Sequence, residues 1–411
     1  MNKKKINPEL LVGAGDFKCA IAAVKNGANA IYFGVKGYNM RDLGTNFKLN
    51  ELKKLMNYLH KNNVKGYLAL NTIIFDNELK KIETILRKAK LAKVDAIICS
   101  DLAVINLAKK HNLEIHISTQ MSIANSIALK EIKKLGASRV VLARELKLDQ
   151  IKKICTYAKK INIEIECFIH GAMCISVSGR CFLSHELFGR SANKGACLQP
   201  CRRAFFLDGD KPNYEEKEIL IQGNTILSAK DMKTIEILDE IIKSGVISLK
   251  VEGRTKPSDY VATVSRCYSE AIKSIKDKTY TKEKIDYWNI ELGKVYNRKF
   301  STGFFLGQPT KKDITNIQGS NQTQKRKHIG FVKKYYTKIN VCEISLIEDL
   351  NIGEEIIIEG VTTFIEQPVS SMQINHHEIK NAKKGQLIGI KVNDRVRPND
   401  LVYKYVKNLK K

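Results

Sequence analysis

The sequence ELLVGAGDFKCAIAAVKNGANAIYF, residues 9–33, has a short apolar run at each end and an amphipathic segment between them. The amphipathic segment places apolar side chains about one helical turn apart, at Phe17, Ala20, Ile21 and Val24. A strand, a helix and a second strand in this order form one βα unit of a parallel sheet. The opening stretch therefore predicts an α/β fold.

The same pattern repeats through the first 255 residues. Eight apolar runs have the length and composition of strands: residues 9–12, 30–33, 64–70, 96–99, 114–117, 139–142, 163–169 and 247–251. The repeats show no point at which the strand order would reverse, and this favours a closed barrel over an open doubly wound sheet. We predict a (β/α)8 TIM-like barrel.

The chain divides into a large and a small domain. Residues 1–305 form the predicted barrel domain, and a cysteine-rich insertion at 170–205 opens the long connection between its last two strands. Residues 306–327 are polar and predict a linker. Residues 328–411 contain short alternating runs broken by turn signals, so we predict a small C-terminal β-barrel domain. Its role, either a structural appendage or a grip on a macromolecular substrate, stays open.

Composition limits the class of protein. Hydrophobic residues make up 43% of the 411 residues and charged ones 27%, which is typical of a globular chain. No signal-peptide core or membrane-length apolar run is present, so we expect a cytoplasmic protein without a membrane partner. The net charge of +27 would attract nucleic acid, although a lysine-rich genome composition explains it equally well.

Ten cysteines in a reducing compartment point to metal binding or catalysis more than to disulfides. Six of them, in apolar or helical contexts, are expected to be buried: Cys19, Cys99, Cys155, Cys167, Cys267 and Cys342. The other four are Cys174, Cys181, Cys197 and Cys201 in the insertion, close to glycines that would let a loop wrap an iron–sulfur cluster. Zinc and unliganded thiols are the alternatives.

Residues at the ends of predicted strands outline a pocket, because chemistry in barrels sits at the carboxyl ends of the strands. These residues are Gly13 and Gly15 after the first strand, Ser118, Thr119 and Gln120 after the fifth, Arg144 and Glu145 after the sixth, His170 after the seventh, and Glu252 and Arg254 after the eighth. The glycines would let a ligand approach the backbone closely. For any single pair of charged residues, a surface salt bridge is the alternative.

Two sequence motifs typical of peptidases are absent. His185-Glu186 begins like a zinc-protease motif, but Gly189 stands where the second histidine belongs, and the sequence has no nucleophile elbow.

The segment ECFIHGAMC, residues 166–174, followed by SGRC, residues 178–181, resembles the signature of the U32 peptidase family. The resemblance extends to Ser118-Thr119-Gln120, Arg144-Glu145, Lys250-Val251-Glu252-Gly253-Arg254 and Asn297-Arg298. It implies a barrel enzyme. In its length and its C-terminal β domain the chain resembles the branch of the family that hydroxylates tRNA uridine at carbon five. Members of that branch carry a [4Fe-4S] cluster and use a hydroxyl donor linked to prephenate.

The resemblance also implies roles. We expect His170, Arg144, Glu145, Glu252 and Arg254 to be catalytic, and Gly13, Gly15, Ser118, Thr119 and Gln120 to line the cofactor or donor site. The expected partners are tRNA, a small anionic co-substrate and a related U32 subunit. A collagenase-like peptidase and a noncatalytic RNA-binding or assembly factor are the alternatives.

The sequence departs from relatives at two positions. Lys233 follows Ser228-Ala229-Lys230-Asp231-Met232 where many relatives have a cluster cysteine, so Cys201 is expected to replace that ligand. Gly13 stands where relatives have proline, which we expect to matter little.

Overall fold

The computed structural model describes residues 8–205 and 227–408. The first ten strands are β1 (Glu9–Gly13), β2 (Ala30–Gly34), β3 (Lys65–Leu70), β4 (Ala96–Cys99), β5 (Ile115–Ile117), β6 (Arg139–Val141), β7 (Glu164–Gly171), β8 (Asp231–Lys233), β9 (Ser248–Val251) and β10 (Phe300–Ser301). Strands β1 to β7 pair in chain order and in parallel, and β9 pairs in parallel with both β7 and β1. The predicted closed eight-stranded barrel is therefore confirmed.

The helices cover the outside of the barrel, apart from the short helix Leu183–Phe188, which belongs to the cysteine-rich insertion. They are α1 (Phe17–Lys25), α2 (Leu52–Lys61), α3 (Leu79–Leu91), α4 (Leu102–Lys110), α5 (Ser126–Lys134), α6 (Leu148–Lys160), α7 (Leu183–Phe188), α8 (Leu238–Ser244), α9 (Ser258–Lys276) and α10 (Lys282–Lys294). In α1 the Asp16 side chain accepts a hydrogen bond from the Cys19 amide at 2.9 Å, which caps the helix. Its buried residues include Ala20 and Ile21, so the predicted apolar face is the one that packs inward.

Two short strands were not predicted. The strand β8 pairs antiparallel with the end of β7, and β10 pairs in parallel with β8. Each has only two or three residues, too few to give a periodic pattern. The strand β7 also runs on to Gly171, so His170 lies within the strand and not in the insertion after it.

The C-terminal region is a separate antiparallel β structure with its own apolar core. Its strands are β11 (Gln324–Tyr336), β12 (Val341–Leu346), β13 (Leu350–Asn351), β14 (Glu355–Gly360), β15 (Thr363–Pro368), β16 (Gln373–Ile374), β17 (His377–Glu378), β18 (Asn381–Ala382), β19 (Leu387–Lys391) and β20 (Leu401–Lys407). Eight of them form one sheet in the order β15-β14-β20-β11-β12-β19-β16-β17, and β13 pairs with β18.

The strand β11 begins at Gln324, inside the range predicted as linker. Its first residues, Gln-Lys-Arg-Lys-His, alternate only between half-buried and exposed positions, so no apolar alternation marks them as a strand in the sequence. The preceding segment is tied to the barrel, because the Thr315 amide donates to the Ser228 carbonyl at 2.8 Å.

A buried carboxylate joins the β region to the barrel. Glu359 of β14 is 5% exposed and accepts a hydrogen bond from the Ser258 hydroxyl at 2.5 Å, at the start of α9. Lys18 of α1 and Arg326 of β11 pair with the same carboxylate at 3.2 and 3.0 Å. Burial alone would raise the pKa of Glu359, but these partners outweigh it and lower the pKa.

We expect Glu359→Gln to lower the free energy of unfolding by about 2 kcal/mol, since charge-assisted hydrogen bonds to a buried group are lost. The pKa is depressed in the folded state, so this stabilisation is complete above the unfolded pKa of about 4.3 and is lost as the pH falls through the folded value. Denaturant unfolding of the full chain at pH 7 and at lower pH measures both effects. The exposed Glu378→Gln is the control, and equal stability of the two variants at pH 7 would contradict the prediction.

Within the described residues, no helix combines the length and the apolar character that crossing a bilayer requires.

Candidate functional site

A cavity of about 140 Å³ lies at the carboxyl ends of the barrel strands, between the strands and the cysteine-rich insertion. Its wall on the barrel side comes from residues in or directly after β2, β3, β5, β6, β7 and β9, namely Tyr32, Asn71, Ser118, Thr119, Gln120, Arg144, Phe168, Lys250, Glu252 and Arg254. Its wall on the insertion side includes Cys174, Gly179, Cys197 and Cys201. The structure thus brings most of the predicted site residues to one place.

Three arginines surround one carboxylate in this cavity. Glu252 is 5% exposed, and Arg41 Nη2 donates to its Oε2 at 2.9 Å. Burial works to raise the pKa of Glu252, but the charges of Arg41, Arg254 and Arg144 outweigh it and lower the pKa, so the carboxylate is ionised at neutral pH. Among the described residues that line the cavity, Glu252 is the one acidic side chain.

Hydrogen bonds and a ring contact fix the guanidinium groups of Arg144 and Arg254. Arg144 donates through Nη1 to the Ala172 carbonyl at 2.9 Å, and its guanidinium lies 3.9 Å from the centre of the Phe168 ring. Arg254 donates through Nη2 to the side-chain oxygens of Asn39 and of Asn46, the latter at 2.9 Å. Burial lowers the pKa of Arg254 to about 10, which still leaves it charged at neutral pH. Both arginines are thereby fixed as cations.

Several buried polar atoms at the cavity have no hydrogen-bond partner within the described parts of the chain. They are Nε of Arg144, Nε of Arg254, Oε1 of Glu252 and the hydroxyl of Tyr32. Burial raises the pKa of Tyr32 well above its ordinary value, and the charge of Glu252 raises it further. The phenol therefore stays protonated and can donate a hydrogen bond. Unpaired buried polar atoms of this kind cost free energy unless a ligand satisfies them, and three of these four, all except the Glu252 oxygen, are hydrogen-bond donors. The arrangement is suited to binding a small anion.

Sequence reasoning missed Arg41, Asn39 and Tyr32 as members of this site. Arg41 and Asn39 follow β2, and the rule that polar residues after a barrel strand face the site would have found them. Tyr32 lies inside a buried strand and carried no such signal. The floor of the cavity includes Lys250, whose Nζ lies 4.4 Å from the Tyr32 ring centre and pairs with buried Glu166 at 2.7 Å.

Ser118, Thr119 and Gln120 form a polar turn on the cavity wall. Asn71 donates to the Ser118 hydroxyl at 3.2 Å and to the Gln120 side-chain oxygen at 3.3 Å. Gln120 in turn donates to the Ser178 carbonyl at 3.1 Å. The turn therefore fastens the insertion to the barrel, and its predicted contact with a ligand stays a prediction.

The four cysteines of the insertion come together beside the arginine cluster. Each is partly exposed, whereas the other six cysteines are buried as predicted. Cys174, Cys197 and Cys201 line the cavity together. Burial raises the pKa of Cys201, the charge of Arg202 opposes this, and the thiols of Cys174, Cys197 and Cys181 raise the pKa further. Nevertheless, no three His, Cys, Asp or Glu side chains in residues 8–205 and 227–408 converge closely enough to hold one metal ion.

The surroundings of the thiols fit thiolate ligands of a cluster. The amide of Leu183 donates to Cys181 Sγ and the amide of Gln199 donates to Cys197 Sγ, each at 3.4 Å. Although burial works to raise the pKa of Cys174, hydrogen bonds from Ser176 and Gly179 and the charge of Arg144 lower it overall. Amide hydrogen bonds to sulfur and nearby cations are the means by which proteins stabilise cluster thiolates.

His170 does not line the cavity. The pairing of β7 with β9 shifts register between Phe168 and His170, so the two side chains do not share a face as strand alternation would require. Phe168 reaches the cavity, but His170 is 1% exposed and lies against the rings of Tyr260, Tyr268 and Phe300. Burial, with Lys233 and Lys256 nearby, lowers its pKa to about 3 and keeps it neutral. These contacts favour packing, and a catalytic role for His170 stays a prediction.

Three other predicted site residues lie apart from the cavity. Glu145 is exposed, although its neighbour Arg144 points inward. A side-chain carbon at Gly13 would lie 2.7 Å from the Tyr32 ring and 2.9 Å from Arg254, and one at Gly15 would lie 2.4 Å from the Arg254 carbonyl. The close approach at these glycines is therefore made by the protein's own residues, which leaves no room there for the ligand that the sequence suggested.

Lys233, at the position where the family resemblance predicted a cluster cysteine, is also outside the cavity lining. Its Nζ pairs with Glu236 at 2.5 Å, donates to Asn289 and lies 5.1 Å from the Phe300 ring centre. Cys201 does line the cavity, next to Arg202. The placement is consistent with Cys201 as the fourth thiol of the group.

Comparison with known proteins relates the chain to one protein family. Residues 15–315 match the sequence profile of peptidase family U32. An uncharacterized protease of Methanocaldococcus jannaschii is 44% identical over 96% of this chain and 97% of its own length. A collagenase of Porphyromonas gingivalis is 38% identical over 97% and 98%, and a tRNA hydroxylation protein of Bacillus subtilis is 31% identical over 98% and 97%.

Proposed function

The chain belongs to peptidase family U32, and from this premise we propose that it is an RNA-modifying enzyme that hydroxylates a base at the mouth of its barrel. The observation that carries the proposal is the cavity itself. It pairs a cationic pocket with unsatisfied hydrogen-bond donors, and three thiols of the insertion, those of Cys174, Cys197 and Cys201, line the same cavity. Such a pocket suits a small anionic co-substrate, and the thiols suit a redox centre.

The side chains divide the work as follows. Arg144, Arg254 and Arg41 bind the acidic groups of the co-substrate, for which prephenate is our candidate. The Tyr32 phenol donates a hydrogen bond to it. Glu252 pairs with Arg41 and presents its free Oε1 to the reacting molecules.

The thiols of Cys174, Cys181, Cys197 and Cys201 would hold a [4Fe-4S] cluster. When bound, the cluster supplies electron transfer or activation of the oxygen donor. Arg144, whose charge lowers the pKa of Cys174, links the thiol group to the anion site, so both can act on one molecule in the cavity.

The proposed substrate is tRNA, with a uridine of a flexible loop as the modified base. A relative named for tRNA hydroxylation covers nearly the whole chain. A base must leave its stack to enter a cavity at a barrel mouth, and loop bases do so at low cost. The net charge of +27 supports binding of phosphates.

A peptidase is the second candidate, because other relatives carry protease and collagenase names. The residues that line the cavity do not favour an acyl-transfer mechanism. Ser118 is bonded to Asn71 and Gln120, and no histidine of the described ranges lines the cavity to activate Ser118 or a thiol.

Unmodified tRNA incubated with anaerobically purified protein, a reductant and prephenate tests the proposal. We expect nucleoside mass spectrometry to find uridine enriched by one oxygen atom, and we expect RNA binding to weaken steeply with salt. Fluorescent collagen, incubated with the same preparation, is the parallel assay. Hydrolysis of collagen with no oxygen added to RNA would replace the proposal by the peptidase.

A further inference from the structure

The distribution of charge along the chain indicates which surface could bind RNA next to the cavity. The β region, one candidate, carries little charge, since residues 328–411 contain 13 Lys and Arg against 10 Asp and Glu. Of the net charge of +27, only +3 therefore lies there. The cysteine-rich insertion, residues 170–205, has five Lys and Arg against one Glu in a much shorter stretch. Phosphate attraction thus favours the barrel and its insertion.

The insertion also exposes aromatic and apolar side chains. Phe182 is 76% exposed, the largest fraction of any aromatic side chain in the described residues, and Phe188 is 41% exposed. Both belong to the α7 turn, in which Ser184 is the only buried residue of the helix. Large exposed rings cost free energy unless they meet a partner.

Cations interleave with these rings. The Arg203 guanidinium lies 4.8 Å from the Phe188 ring centre, and Arg180 and Arg190 are exposed at the two sides of α7. Within the described chain neither Arg180 nor Arg190 forms an ion pair, so their charges are available to a partner. We call Arg180, Phe182, Phe188, Arg190 and Arg203 the insertion rim.

The insertion rim continues directly from the cavity wall. Ser178 and Gly179 line the cavity, and the next residue is Arg180. Cys201 and Arg202 line it as well, and Arg203 follows. Two of the rim residues therefore directly follow residues of the cavity wall, which places the rim beside the cavity.

We propose that the insertion rim binds single-stranded RNA, with bases stacked on Phe182 and on the Arg203–Phe188 pair and with phosphates on Arg180 and Arg190. Alternating rings and guanidinium groups bind unpaired bases and their backbone, whereas a duplex hides its base faces. This rests on the proposed function and adds to it the surface and the form of the RNA that is bound.

Fluorescence anisotropy with a labelled single-stranded RNA of about 12 nucleotides, and with the duplex of the same sequence, tests the proposal on the full chain. We expect Phe182→Ala to weaken single-strand binding about 10-fold and Phe182→Tyr to retain it, since the tyrosine keeps the ring. Arg190→Gln is expected to weaken binding and to reduce the salt slope by about one. Arg395→Gln, an exposed arginine of the β region, is the matched control and is expected to change neither.

The outcomes separate the surface from the function. If Phe182→Ala and Arg190→Gln bind RNA with wild-type affinity and still hydroxylate it, the insertion rim is not the RNA-binding surface, and the proposed function is unaffected. A larger loss in Arg395→Gln would move the surface to the β region. If the rim variants keep their RNA affinity but change self-association in sedimentation velocity, the rim is instead a surface that binds a second copy of the chain. Absence of RNA binding by the wild type would count against the proposed function itself.

Discussion

Glu252→Gln is expected to lower the rate of RNA hydroxylation by at least about 100-fold, the effect typical of a charge that is preorganised at a reacting centre. Glu252 is the one carboxylate among the described residues of the cavity lining, and it pairs with Arg41 at 2.9 Å. The amide keeps the shape of the side chain but not its charge, so Arg41 loses its ion pair and the charges of Arg144 and Arg254 lose the carboxylate that balances them. Single-turnover hydroxylation of unmodified tRNA measures the effect.

Glu145→Gln provides the matched control. Glu145 follows Arg144 in the sequence and was also predicted to be catalytic, yet it is exposed and outside the cavity lining. We expect this variant to keep wild-type activity. Thermal unfolding of both variants establishes that each is folded. Equal losses in the two variants, or full activity in Glu252→Gln, would contradict the assignment of the carboxylate role to Glu252.

Cys201→Ala is expected to remove the iron from the anaerobically purified protein. If the insertion holds a [4Fe-4S] cluster, the wild type contains about four irons per chain and is brown, and loss of one of its four thiolate ligands destabilises the cluster. Iron and sulfide analysis together with the visible absorption spectrum measures this without any substrate. The activity assay then follows separately.

Cys342→Ala is the control for this variant. Cys342 is fully buried in the core of the β region, far along the chain from the insertion, and we expect its replacement to leave the iron content unchanged. Full iron content in Cys201→Ala would require another fourth ligand. If the wild-type protein contains no iron, the cluster hypothesis is wrong, and the binding-factor and peptidase alternatives are favoured.

The sequence by itself determined the barrel. Strand and helix periods are local properties, so the opening βα unit and its repeats predict parallel strands that close on one another, as β9 does with β1. It also separated the cysteines into two groups. The six cysteines predicted to be buried fall on apolar periodic segments and the four predicted as ligands fall on a glycine-rich loop, and burial follows that division.

Only the tertiary structure decided which strand-end residues share the cavity. Arg41 and Glu252 are 211 positions apart in the chain, and their pairing depends on barrel closure. Arg144 points inward while Glu145 points outward, because successive side chains in a loop diverge in a direction that residue type does not encode. The register shift after Phe168 likewise turns His170 into the aromatic cluster. Backbone geometry and long-range packing, which no local pattern carries, set these directions.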